Sequence, residues 1–168
     1  MKIQEILKQP ESKTLEFKKE IPKNRQNLLK TVVAFANGAG GHIYIGVNDD
    51  RTITGIKEEP FDLEEKLASI IYDSISPIPN VFFQTAAFED KVIFIIRILP
   101  GANKPYYLKK LGPEGGIFLR MGSTNRKADS QSVAELRRQA RNISLDQEID
   151  PSLDCDSLNM RLLEKFIE

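Results

Sequence analysis

A glycine turn between two guanidinium groups, Arg120-Met121-Gly122-Ser123-Thr124-Asn125-Arg126, is the segment of this 168-residue sequence best suited to grip a phosphate. Arg presents a bidentate fork to phosphate oxygens, the hydroxyls of Ser123 and Thr124 add donors, and glycine lets backbone N–H groups approach. The same residues equally suit a strand exit whose Ser and Asn side chains close their own turn. Lys109, Lys110 and Lys127 extend the cationic character to either side. Residues 97–141 carry ten Lys and Arg against Glu114, Asp129 and Glu135. Such a block is an electrostatic footprint for a polyanion, or a solvated surface balanced by the acidic tail.

The acids Glu11, Glu16, Asp49 and Asp50 form a second candidate set. Metal-dependent cleavage of a phosphodiester needs two or three carboxylates converging on Mg²⁺ or Mn²⁺, which polarise the phosphoryl oxygen and activate water. Spacing does not establish convergence. It requires Glu16 and Asp49 to project to one side of the sheet, with a cation such as Lys18 among them to relieve their repulsion. Asp49 and Asp50 also fit hairpin-turn chemistry, and Glu16 a strand position paired with Lys18.

Two further motifs carry little chemistry. The lone His42 has no second His with which to bind metal, and reads as a packed or surface residue. Asn37-Gly38-Ala39-Gly40-Gly41 follows a predicted helix and precedes a predicted strand, the reverse of a phosphate cradle, and the sequence contains no G-x-x-x-x-G-K-[ST]. It reads as a turn with a left-handed cap at Asn37-Gly38.

The elements that must position these residues follow from periodicity. Ile3, Ile6 and Leu7 open a short amphipathic helix that stops before Pro10. Residues 14–18 predict a strand. Asn24 caps a helix with a stripe of Leu28, Leu29, Val32, Val33, Phe35 and Ala36, about one third of the circumference. Residues 42–47 and 52–56 predict a hairpin, residues 61–76 a helix closed by Pro77 and Pro79, and residues 81–88 and 91–99 a second hairpin turning at Glu89-Asp90. Residues 105–108 and 116–121 predict a further strand pair around a Gly-Pro-Glu-Gly-Gly loop, and Ser130 caps a helix to Asn142. The expected class is α+β, with mostly antiparallel strands and helices on one side. Residues 1–142 form the expected domain, and 143–168 an acidic linker and the start of an apolar helix that leads into a further region of the chain.

Composition removes several classes. The single Cys155 excludes an internal disulfide and, with one His, a structural zinc site. The apolar runs fall far short of the roughly 20 residues of a membrane span, and the start lacks the apolar stretch of a signal peptide. A cytoplasmic protein with no membrane partner is the expectation.

Taken in order, Glu11-Ser12-Lys13-Thr14-Leu15-Glu16-Phe17-Lys18, Ala34-Phe35-Ala36-Asn37, Gly40-Gly41-His42-Ile43-Tyr44-Ile45-Gly46-Val47-Asn48-Asp49 and Phe118-Leu119-Arg120-Met121-Gly122-Ser123-Thr124 resemble the Schlafen AlbA-type domain across residues 10–140. The resemblance implies an α+β domain, described as DNA-binding, of bacterial regulator-like and helicase-related proteins. In that reading Lys109, Lys110, Arg120, Ser123, Thr124, Arg126 and Lys127 contact nucleic acid, DNA before RNA, with no cofactor. In vertebrate relatives two such lobes clamp and cleave structured RNA, and three carboxylates do the metal work. By motif these fall on Glu11, Glu16 and Asp49, so the alternative is an endoribonuclease using Mg²⁺ or Mn²⁺, with a homodimer supplying the second lobe. A third reading is a dimerisation or interaction domain without nucleic acid.

Overall fold

The computed structural model describes residues 2–152, with side-chain surroundings to residue 141. In chain order the elements are α1 (Ile3–Leu7), β1 (Leu15–Lys18), α2 (Gln26–Asn37), β2 (Gly41–Ile45), α3 (Pro60–Ser74), β3 (Ile75–Ser76), β4 (Val81–Phe88), β5 (Lys91–Ile98), β6 (Tyr107–Leu108), α4 (Gly112–Gly115), β7 (Phe118–Met121), β8 (Thr124–Lys127) and α5 (Ser130–Ser152). The expected helical start at residues 158–167 lies outside the described residues. No helix among the described residues is long and apolar enough to cross a membrane.

The main sheet runs β1-β2-β5-β4. The class is α+β as expected, and β4 and β5 form the predicted hairpin in unbroken register from Val81↔Ile98 to Phe88↔Lys91. A departure from the expected antiparallel pattern is that β1 pairs with β2 in parallel. Strand β2 is therefore paired on both edges, which explains its near-continuous apolar run. It also explains why residues 52–56 do not pair with it as a strand. They fold back on Gly46, whose carbonyl accepts from the Thr54 and Gly55 N–H groups, and bridge only through Val47 and Ile53.

Each face of this sheet carries its own apolar cluster. On one side Ile43, Ile45, Phe94, Ile96 and Ile98 meet α2 and α3 through Phe35, Val32, Leu63, Leu67 and Ile71. On the other, Leu15, Phe17, Tyr44, Val47, Ile93 and Ile95 meet α1 through Ile3, Ile6 and Leu7. Helices thus lie on both faces, because the short α1 crosses to the second. Helix α2 is buried from Leu28 to Asn37 except at Lys30, far beyond the expected stripe, because the β7–β8 hairpin covers its outer side.

Three local expectations change. Gly38 is not left-handed (φ −110°), and the positive φ falls on Gly40 (+80°), where a Cβ would stand 2.6 Å from the Ile98 carbonyl oxygen. Residues 105–108 and 116–121 do not pair with each other. Instead β6 pairs with β3, and β7 with β8. Helix α5 continues past Asn142 to Ser152, and Asp129 rather than Ser130 caps it, accepting from the Ser132 N–H at 2.7 Å. That bond holds the Asp129 carboxyl below its ordinary range.

Candidate functional site

The short strand β7 brings Arg120 to the edge of the main sheet. There the side chain is only 4% exposed. Its guanidinium donates to the Glu16 carboxylate, to the Ser12 carbonyl (3.0 Å), to the Leu15 carbonyl (3.5 Å) and to Asn125 Oδ1 (2.9 Å). Asn125 Nδ2 passes the chain on to Thr31 Oγ1 at 2.9 Å, and Thr31 donates to the Asn27 carbonyl of α2. The guanidinium also lies 5.2 Å from the centroid of the Phe35 ring. Arg120 is therefore spent inside the fold and is not a surface cation for phosphate. Its burial is tolerable because a carboxylate and two carbonyls compensate the charge.

A second buried lock is Asn37, 2% exposed. Its amide nitrogen donates to the Tyr106 and Phe118 carbonyls (3.0 and 3.1 Å), and its Oδ1 accepts from the Tyr106 N–H at 2.7 Å. A residue read from sequence as a helix end thus ties α2 to β7 and to the residue that leads into β6. The glycines that follow serve the same packing. A Cβ on Gly41 would stand 2.6 Å from the Phe35 ring and 2.8 Å from the Thr14 carbonyl oxygen.

The three carboxylates do not form a metal seat. Glu11 Oε1 accepts from the Phe17 N–H at 3.0 Å, as a cap on the entry to β1. Glu16 is held by Arg120 and stands 3.5 Å from Lys18 Nζ. Asp49 is exposed in the turn after β2, a turn from which Arg51 reaches 4.3 Å over the Phe17 ring. Phe17 and Glu16 are successive strand residues and point to opposite faces. Asp50 instead closes the turn, accepting from Thr52 Oγ1 and N–H, which lowers its pKa. Among the described residues no three His, Cys, Asp or Glu side chains stand close enough together to hold a metal ion.

The remaining cations are exposed. Arg126 and Lys127 lie on β8, and Ser123 and Thr124 at the hairpin tip, where Gly122 has φ +62° and Thr124 Oγ1 donates to the Met121 carbonyl. Lys109 and Lys110 follow β6 and sit by the end of α3, where Lys109 Nζ is 3.4 Å from the Tyr72 carbonyl oxygen. A cleft of about 580 Å³ between α4, β8 and α5 is lined by Lys127 and by Arg137, with Glu114 and Asp129 on its walls. Arg137 was not singled out in the sequence. Its only signal is membership of the basic block.

The fold has solved counterparts. The DIP2311 protein of Corynebacterium diphtheriae matches with a TM-score of 0.54 at 18% identity over 75% of this chain, which spans 24% of that protein's chain. The N-terminal domain of a protein from Nitrosomonas europaea, named as related to the ATP-dependent DNA helicase RecG, matches with a TM-score of 0.51 at 22% identity, covering 76% of this chain and 90% of that one. At these identities the likeness is one of fold. The family model described as Schlafen, AlbA_2 matches residues 11–129, and the chain belongs to that family.

Proposed function

We propose that the chain is a nucleic-acid-binding domain that holds duplex DNA by its phosphates, as part of a regulator-like protein. The observation that carries this reading is the presentation of Arg126 and Lys127. Both are exposed on a strand whose hairpin partner is clamped to β1 and α2 by the Arg120 network, so the cations stand on a rigid mount. Membership of a family of nucleic-acid-related domains supports the same ligand class. Ser123 and Thr124 at the tip, Lys109 and Lys110 after β6, and Arg137 on the neighbouring cleft are the further phosphate contacts in this reading. Neutralised phosphates release counterions, so affinity for duplex DNA falls with salt at a slope of about 0.9 per contact.

The test is a salt series of duplex binding by the parent and by the Arg126→Ala, Lys127→Ala double variant. A slope flatter by one to two in the variant supports the interface, and an unchanged slope removes it from β8. Running the series with Mn²⁺ and following the products on a gel checks the nuclease alternative at once.

A further inference from the structure

We propose that the sheet face opposite α2 and α3 is a stacking platform for the bases of a single-stranded nucleic acid. This goes beyond the phosphate contacts of β8 and uses a different surface, so the two readings fail independently.

The argument begins with register. His42 of β2 stands opposite Arg97 of β5, and Arg97 opposite Phe82 of β4. Residues directly opposite one another share a face. Their neighbours Ile43 and Ile96 belong to the cluster beneath α2, so His42, Arg97 and Phe82 form a row on the other face. With neighbouring strands about 4.8 Å apart, the backbones of His42 and Phe82 are roughly 10 Å from each other, with that of Arg97 between them.

The row is open to solvent. Phe82 is 49% exposed, Arg97 is exposed, and His42 is half-buried with its ring 6.2 Å from that of Tyr44, inclined by 26°. Helix α1 covers only part of this face. It leaves beside the row a cavity of about 500 Å³, walled by Ile6 and floored by Tyr44, with Thr14, His42 and Gln84 at hand for a base edge. That volume lies within the range of small-ligand sites, roughly 300–1,000 Å³.

The charge of the face selects the occupant. No acidic side chain lines the cavity, and Arg97 makes no ion pair with a described residue. An arginine without such an ion pair, on the strand between those that carry the two rings, complements a phosphodiester flanked by two bases, through a bidentate fork to its oxygens. The rings can engage a base only by its flat face, which a duplex hides and a single strand offers. Unpaired bases from DNA or RNA present this same chemistry.

The test uses the full chain and fluorescein-labelled oligothymidine, oligouridine and duplex DNA, followed by anisotropy. Phe82→Ala is expected to weaken binding of the better single strand by about tenfold, while Phe82→Tyr stays near the parent and duplex binding is unchanged. Arg97→Gln is expected to flatten the single-strand salt slope by about 0.7. His42 is the chain's one histidine, so its ring resonances form an isolated NMR reporter, and they are expected to shift on adding the oligonucleotide. Tighter binding of oligothymidine, or of oligouridine, with these losses supports the platform and names its source. The proposal is overturned if neither single strand binds, or if one binds with Phe82→Ala unaffected and the His42 signals unmoved. Loss of all binding only on replacing Arg126 and Lys127 also overturns it and leaves the β8 reading standing.

Discussion

Arg120 and Glu16, 104 residues apart in the chain, form a largely buried ion pair that joins the β7–β8 hairpin to the first strand of the main sheet. An arginine that the basic block presents as a ligand for phosphate is thereby a structural cation, and a glutamate that the motif presents as a metal ligand is its counter-charge.

Removing one partner of such a pair strands the other in a site it cannot leave cheaply. Arg120→Ala is expected to lower stability by about 3–5 kcal/mol, and Glu16→Gln by less, because the amide still accepts a hydrogen bond. Urea unfolding of both variants checks this. Parent-like stability in Arg120→Ala would remove the pair from the structural account.

Asn37 yields a prediction of a different kind, since nothing there is charged. Asn37→Leu keeps the branching and the number of side-chain atoms other than hydrogen, though it is somewhat larger, and leaves the Tyr106 N–H and the Tyr106 and Phe118 carbonyls without their partner. A loss of about 3 kcal/mol or more is expected in thermal or chemical unfolding, at roughly 1–3 kcal/mol for each orphaned group with partial relief by water.

Phe35 is fully buried, so Phe35→Ala should cost about 3–5 kcal/mol. Gly41→Ala should also destabilise, because its new methyl meets the Phe35 ring. The double variant should cost less than the two single changes together, since removing the ring frees half of that clash while the Thr14 carbonyl remains. Strict additivity in a double-mutant cycle would contradict the packing described.

How far these roles can be read from sequence depends on range. The stripe of α2 and the β4–β5 hairpin are local patterns, a 3.6-residue period and a tight turn at Glu89, and both are legible. The β3–β6 and β7–β8 pairings are not, because β3 and β6 are two residues each and β8 is Thr-Asn-Arg-Lys, polar throughout. Arg120 looks like any other cation of its block until β7 is known to stand beside β1. The row Phe82–Arg97–His42 is equally hidden, since it exists only once the register of three strands is fixed. Glu11, Glu16 and Asp49 show the converse. Their order along the chain matches a metal site, and their places in the fold do not make one.

His42 gives stability a pH dependence of definite sign. Burial, aided by the nearby Arg97 charge, holds its pKa below the ordinary value of about 6.5. The unfolded chain therefore binds the proton first. The contribution of His42 is whole above about pH 6.5 and is lost as pH falls from there through the lowered folded-state value. As the chain has one histidine, His42→Gln should flatten this part of the stability profile between neutral and mildly acidic pH, as read by chemical unfolding at a series of pH values.

The span between Glu16 and Arg120 also sets a timetable for synthesis. At roughly 5–20 residues per second, a ribosome needs on the order of 5–20 s to supply the arginine after the glutamate has been made. Asn37 waits similarly for Phe118. During that interval Glu16 has only Lys18 beside it, and the outer side of α2 lacks the hairpin that covers it. The main sheet is complete in sequence by Ile98, but Ile117 and Phe118 reach the core only once β7 has been made.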